Sequence, residues 1–308
     1  MAAYPPLVLQ KMKYIYILLQ ITLCAALVRG QDSSTNRNVM TWVPPYAVNA
    51  SLEALKESFG GAGMGNSLTH LGLQFWTPTM AGGIERVTRY GAIDDSQISD
   101  FRAWGSKHGI HVMLCIYNGI SGWDWELARS SFDTNQKTFI DTLMNETLRL
   151  NLDGIDIDLE GIGKLDYSKN AFVNFVKGLS GRLHESGKLL TVDSFPYKWN
   201  APNRSWWPEL LPVIDGLNVM GYSETGASAT DWRAYAALKE AAGKYSKKLC
   251  IGMPSNKAEW QESSVEGNLN WVVRDPFVGL AIWDAQLKDP AWRTREVWEQ
   301  ILKISGKD

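Results

Sequence analysis

The chain has 308 residues, 45% apolar and 21% charged, a globular composition that excludes an intrinsically disordered chain. Its formal net charge of −2 excludes binding to nucleic acid through bulk charge, and no repeat of solenoid or propeller length is visible. The 14 Trp are many for this length, and all follow residue 40; besides filling cores, Trp stacks on flat apolar ligand faces, sugar rings among them.

In chain order, Lys11 and Lys13 precede an apolar run from Tyr14 to Val28, with Val28 and Gly30 at −3 and −1 of a cleavage site. That pattern predicts a secretory signal over residues 1–30; the run is shorter than the roughly 20 residues that span a bilayer. An uncleaved N-terminal anchor is the alternative. Three sequons agree with secretion, at Asn49, Asn145 and Asn203. Cys24 falls in the signal, leaving Cys115 and Cys250 inside apolar strand-like runs. Two buried free thiols are the favoured reading and a disulfide the other.

Over residues 31–308, eight strand candidates follow: Val39–Tyr46, His70–Trp76, His111–Tyr117, Leu152–Glu160, Leu189–Tyr197, Asp215–Tyr222, Lys248–Met253 and Val278–Ala285. Helices are predicted between them over Ser51–Phe59, Ser96–His108, Asp133–Leu150, Ser168–Ser186 with Gly187 as its stop, Asp231–Ala242 and Trp292–Ile304. Trp207–Leu211 and the stretch near Trp260 give weaker helical patterns. Eight strands alternating with helices read as a single-domain (β/α)8 barrel of the α/β class. A doubly wound sheet would need a phosphate-binding turn after the first strand. The cluster Gly61-Ala-Gly63-Met-Gly65 follows a helix candidate instead of opening one, and reads as a loop.

The chemistry concentrates in the fourth strand, Asp153-Gly-Ile-Asp156-Ile-Asp158-Leu-Glu160. Side chains alternate along a strand, so Asp156, Asp158 and Glu160 share one face and Ile155, Ile157 and Leu159 the other. In a barrel the apolar set faces the helices, and the acids line the interior with Glu160 at the C-terminal rim, where barrel active sites lie. Like charges at such spacing keep at least one carboxyl protonated near neutral pH, as a general acid requires. The same acids and Gly161 resemble the opening of a calcium loop, but the twelfth position is Tyr167 instead of Glu. His70, His108, His111 and His184 show no metal-ligand spacing. No metal and no cofactor are expected.

The octet resembles the signature of glycoside hydrolase family 18, the chitinases and their relatives, with all four acidic positions matched. Asn218-Val-Met220-Gly-Tyr222 resembles the family's Met-x-Tyr segment, and Trp283 its eighth-strand Trp. Two stretches depart from it: Cys115-Ile-Tyr117-Asn118 stands where Ser-x-Gly-Gly is common, and Ser223 follows Tyr222 in place of Asp or Asn. About two dozen residues separate the seventh and eighth strands, too few for the small α+β insertion of many chitinases, which implies a more open groove.

The resemblance implies a retaining, substrate-assisted glycosidase. Glu160 protonates the glycosidic oxygen, the substrate's 2-acetamido oxygen attacks the anomeric carbon, Asp158 orients the acetamido nitrogen and Asp156 shares a proton or hydrogen bond with Asp158. Tyr222 hydrogen-bonds the acetamido oxygen, Trp283 stacks under the sugar beside Met220, and Asp153, of the wrong parity, is structural. The expected partner is an N-acetylglucosamine-containing polysaccharide or glycan. The expected product is a secreted monomer with no nucleic acid and, after signal cleavage, no membrane partner. An endo-β-N-acetylglucosaminidase acting on protein-linked glycans and a chitin-binding lectin on the same barrel are the alternatives; the presence of Glu160 speaks against the lectin.

Overall fold

The structure is a computed structural model and describes residues 36–196, 199–220, 232–256 and 264–307. Its eight barrel strands are β1 (Val39–Val43), β2 (His70–Pro78), β3 (His111–Tyr117), β4 (Gly154–Asp158), β5 (Leu189–Ser194), β6 (Gly216–Val219), β7 (Leu249–Pro254) and β8 (Gly279–Trp283). Each pairs in parallel with the next, and β8 returns to β1 through Val39↔Leu280 and Thr41↔Ile282, closing the barrel. The main helices are α1 (Val48–Lys56), α2 (Asp95–His108), α3 (Gln136–Arg149), α4 (Lys169–Glu185), α5 (Trp232–Ala242), α6 (Val265–Arg274) and α7 (Arg295–Ser305). A short helix, Trp207–Leu210, serves between β5 and β6. The (β/α)8 architecture read from the sequence is the observed one, and only 24 residues lie between β7 and β8, which leaves no insertion domain.

The alternation along β4 sorts as expected. Ile155, Ile157 and Leu159 are fully buried in the main apolar layer, together with Phe139 and Leu143 of α3 and Phe175 and Leu179 of α4. Each such side chain contributes roughly 1.5–3 kcal/mol by leaving water. Inside the barrel a small layer of Met40, Trp42, Cys115, Cys250 and Ala281 packs against Trp283.

Local chemistry accounts for where elements stop. β1 ends at Val43, short of Tyr46, because Pro44 and Pro45 cannot donate to the ladder and a 3-10 turn follows. Asp94 and Gln97 form a capping box on α2, which ends at Gly109 with φ 62°. Thr294 caps α7, so that helix starts at Arg295 and Trp292 falls in the preceding turn. α4 ends at Glu185, and Gly187 follows at φ 65°, the stop read from the sequence. The glycine cluster forms a tight turn, bridged Phe59 to Ala62, before a one-turn helix at Met64–Ser67. The signal segment, Tyr222, Ser223 and Trp260 lie outside the described residues. No helix among the described residues is long and apolar enough to cross a membrane.

Candidate active site

The inward face of β4 meets its partners from four strands. Asp156 is completely buried; its Oδ2 accepts from Trp42 Nε1 at 2.7 Å and its Oδ1 from Thr191 Oγ1 at 2.5 Å. The Cys115 thiol is a third donor to it. Asp158 is also buried, and its Oδ2 accepts from Gln74 Nε2 at 2.7 Å. Asp158 Oδ1 receives no N–H or hydroxyl donor; the other hydrogen-bonding neighbour of this side chain is the carboxyl of Glu160. Two carboxyls in hydrogen-bond contact need a proton between them.

Electrostatics assign that proton. Burial pushes all three carboxyls upward. At Asp156 three donors oppose the shift by holding the anion. Asp158, driven by burial and by the charge of Asp156, is pushed up to about 7. Glu160, driven by burial and then by Asp158, stands well above the usual carboxylate range. The negative charge therefore rests first on Asp156, and Glu160 is a neutral acid across the neutral range, poised at the rim as a proton donor.

The sequence reading extended β4 to Glu160, whereas the ladder ends at Asp158. Glu160 leaves the ladder because Asn118 captures its peptide group: Glu160 N donates to Asn118 Oδ1 at 2.9 Å and Asn118 Nδ2 donates to Glu160 O at 2.8 Å. Asn118 Nδ2 also reaches Asp124 O at 3.0 Å, the amide is fully buried, and the clamp fixes the acid without using its carboxyl.

The remaining predicted residues are placed as follows. Trp283 is half-buried at the C-terminal end of β8, with its ring centroid 6.0 Å from that of Trp42, so the two indoles floor the barrel mouth. Met220 is buried just beyond β6, and its amide donates to Ser194 O at 2.8 Å. Tyr222 lies outside the described residues. Asp153, at the entrance to β4, accepts from Val112 N at 2.8 Å and is a structural tie, as its parity indicated. Cys115 and Cys250 are buried free thiols. Burial and the nearby acids raise both well above the ordinary thiol range, which leaves them unreactive. Among the described residues no group of three or more His, Cys, Asp or Glu can hold a metal ion.

Of the sequons, Asn49 and Asn145 are exposed. Asn203 is buried, its Nδ2 donating to Asn200 O at 2.7 Å and its Oδ1 accepting from Ser205 N at 3.0 Å. A glycan on Asn203 does not fit this fold.

Sequence reasoning passed over Trp42, Gln74, Asn118, Asp193 and Asn218. Four of these carry one signal, a polar-tipped residue at inward parity in an apolar strand: Trp42 in Val39–Val43, Gln74 in His70–Pro78, Asp193 in Leu189–Ser194 and Asn218 in Gly216–Val219. Asp193 is buried and accepts from Asn218 Nδ2 at 2.7 Å.

The family model for glycosyl hydrolases family 18 matches residues 56–301. Among solved structures, a chitinase from Chromobacterium violaceum superposes with a TM-score of 0.66 at 14% identity, over 88% of this chain and 98% of that one. A chitinase from Bacteroides thetaiotaomicron gives 0.63 at 15% identity, over 88% and 96%. The spore cortex-lytic enzyme SleL of Bacillus cereus gives 0.64 at 12% identity, over 87% and 74%. A stretch of 119 residues is 29% identical to the killer toxin subunits alpha/beta of Kluyveromyces lactis; it spans 33% of this chain and only a tenth of that protein. At these identities the structural likeness establishes the barrel, while the family match covers most of the chain, the acidic octet included. The chain belongs to the glycosyl hydrolases family 18 and is a glycosidase.

Proposed function

We propose that the protein is a secreted, chitinase-like hydrolase of β-1,4-linked N-acetylglucosamine polymers, working by a retaining, substrate-assisted mechanism. One observation carries the reading: an Asp158–Glu160 pair sharing protons beside an anionic, triply hydrogen-bonded Asp156. Protonated Glu160 gives its proton to the glycosidic oxygen as the bond to the anomeric carbon breaks. The substrate's own acetamido oxygen attacks the anomeric carbon from the face opposite the departing oxygen, closing an oxazolinium ring. Asp158 holds the acetamido N–H, so the carbonyl oxygen is aimed and the positive charge formed is met by an anion. Water then opens the ring from the face the leaving group vacated, with the Glu160 carboxylate as base, restoring the acid and the original anomeric configuration. Trp283 stacks under the ring, Met220 backs it and Tyr222 donates to the acetamido oxygen. The chitinase names among the structural relatives support the substrate class.

Residues 1–30 act as the secretory signal, and glycans sit at Asn49 or Asn145. Intact mass before and after glycosidase treatment tests both: a product retaining Lys13 and unmodified at each asparagine defeats the secretion reading. The decisive activity test compares N-acetylglucosamine oligomers, their fully deacetylated counterparts and a high-mannose glycoprotein. The expected outcome is cleavage of the first alone, with strong inhibition by an oxazoline mimic. Cleavage of the glycoprotein alone would move the substrate to protein-linked glycans, and rapid cutting of deacetylated oligomers would exclude substrate assistance.

A further inference from the structure

Asp158 and Glu160 are two carboxyls in contact, and the pair serves acid catalysis only if the charge settles on the first and the proton on the second. Among the described residues the Glu160 carboxyl meets no donor outside the pair. Asp158 has one, Gln74 Nε2, 2.7 Å from its Oδ2.

Gln74 comes from β2, two strands away, and the chain is built to deliver it. Leu73 pairs with Leu114 and Trp76 with Ile116, so Gln74 and Phe75 together oppose Cys115 alone. Such a bulge re-aims side chains. Leu73, Phe75 and Trp76 all lie in the outer apolar layer, and of these four residues only Gln74 turns inward, 3% exposed. It stands level with Cys115, whose partner in register is Asp156, and Asp158 is one inward step further along β4. A long side chain is needed to span that diagonal. Its amide offers N–H to an anion, and it can offer its oxygen only to a protonated carboxyl.

We propose that Gln74 is a positioning residue that acts through Asp158: its amide fixes the anion of the Asp158–Glu160 pair on Asp158 and leaves the remaining proton on Glu160, setting the acid limit of hydrolysis. The titratable groups that face Asp158 are Asp156 and Glu160 from β4, Cys115 and Tyr117 from β3 and Asp193 from β5. Burial and the charge of Asp156 oppose the Asp158 anion, and the contacts with Glu160 and Gln74 support it. Of these two supports only Gln74 cannot ionise. With its N–H gone, burial and Asp156 act on Asp158 less opposed, and the proton there is held to higher pH. The second ionisation, that of Glu160, takes place with Asp158 already charged in either case, so it does not move.

This inference rests on the hydrolase reading, and two measurements separate their failures. Gln74→Met keeps the length of the side chain and removes the donor. The acid limb of the kcat/KM profile on N-acetylglucosamine oligomers should move to higher pH by about one unit, with the alkaline limb unmoved. KM should stay within about threefold, because the amide is spent on Asp158 and does not meet the sugar. Gln74→Asn keeps the amide but falls one methylene short, so a move in the same direction is expected; it serves if the first variant does not fold. An unmoved acid limb in both variants, or a loss of rate equal at every pH, overturns the proposal. If the parent cuts no oligomer, the function reading fails, and carbon NMR of the carboxyl groups still tests Gln74, with the Asp158 signal assigned by its loss in Asp158→Asn. Asp158 should titrate at higher pH in Gln74→Met than in the parent, and an equal midpoint overturns the assignment.

Discussion

Both ends of the barrel bury or half-bury ionisable groups, and they treat them in opposite ways. At the N-terminal end Asp153, Asp215, Arg37 and Lys307 have fixed backbone partners. Asp153 accepts from Val112 N and Asp215 from Leu190 N, both at 2.8 Å. Arg37 Nη1 donates to Val272 O and Val278 O, and Lys307 Nζ donates to Leu68 O and His108 O. At the C-terminal end Asp156, Asp158, Glu160 and Asp193 face one another, and their charges are mutually unfavourable. Backbone partners cannot move or change charge, so the lower end serves stability. Carboxyls that meet each other and a few side-chain donors keep protons in transit, which is what acid catalysis needs. Substitutions at the two ends should therefore fail differently.

The largest effect is expected at the upper end. Glu160→Gln keeps the shape and removes the acid, and kcat on N-acetylglucosamine oligomers should fall about 100- to 10,000-fold while oligomer binding survives. The folding midpoint should hold or rise, because a half-buried group that can ionise is replaced by one that cannot. A near-parental rate in the purified variant would remove Glu160 from the mechanism. Asn118→Ala comes next. It frees the Glu160 peptide without touching the carboxyl, so kcat should drop about 10- to 100-fold with KM little changed. A rise in KM at constant kcat would show that Asn118 shapes binding instead of the acid.

At the lower end the expected loss is stability. Arg37→Met leaves the carbonyls of Val272 and Val278 without their donor, at a cost of about 3 kcal/mol in urea denaturation, with kcat per folded molecule unchanged. A variant that folds normally but loses rate would erase the division between the two ends.

The barrel and the heart of the site were legible because both rest on local periodicity. Eight apolar runs announce the strands, and strand parity alone separates Asp156, Asp158 and Glu160 from the isoleucines between them. What was hidden depends on register between strands, which no single strand encodes. Gln74, Asp193 and Asn218 each look like one stray polar residue until pairing sets Gln74 and Asp193 beside Asp158 and Asn218 beside Asp193. Asn118 was hidden for another reason: it acts on the main chain of Glu160, from a loop whose path the sequence does not state. The buried Asn203 shows the converse limit, since a sequon is read from three residues and its exposure from the whole fold.

The smallest effect, and the one that sharpens the contrast most, is the opposite pH response of the two ends. Asp158, raised to about 7, is still protonated in the folded protein where the unfolded chain, near pH 4, has already released its proton. The unfolded state then binds fewer protons, so the upper end loses stability as pH rises from about 4 to 7, by up to roughly 1.4 kcal/mol per pH unit for one carboxyl. His70 at the lower end behaves inversely. It is buried, its Nδ1 lies 2.8 Å from Thr69 Oγ1, and burial with His111 and Lys307 nearby lowers it to about 3. Between pH 6.5 and 3 the unfolded chain binds a proton that the folded protein refuses, so stability falls as pH falls. Folding stability should pass through a maximum on the acid side of neutrality. Between about pH 4 and 6.5 the two slopes oppose each other, so His70→Gln should expose a fall in stability with rising pH there, and Asp158→Asn a rise. Denaturation midpoints of the parent and both variants at unit steps from pH 4 to pH 8 test this directly, and a variant that alters the slope belonging to the other end would show that the two ends are not independent.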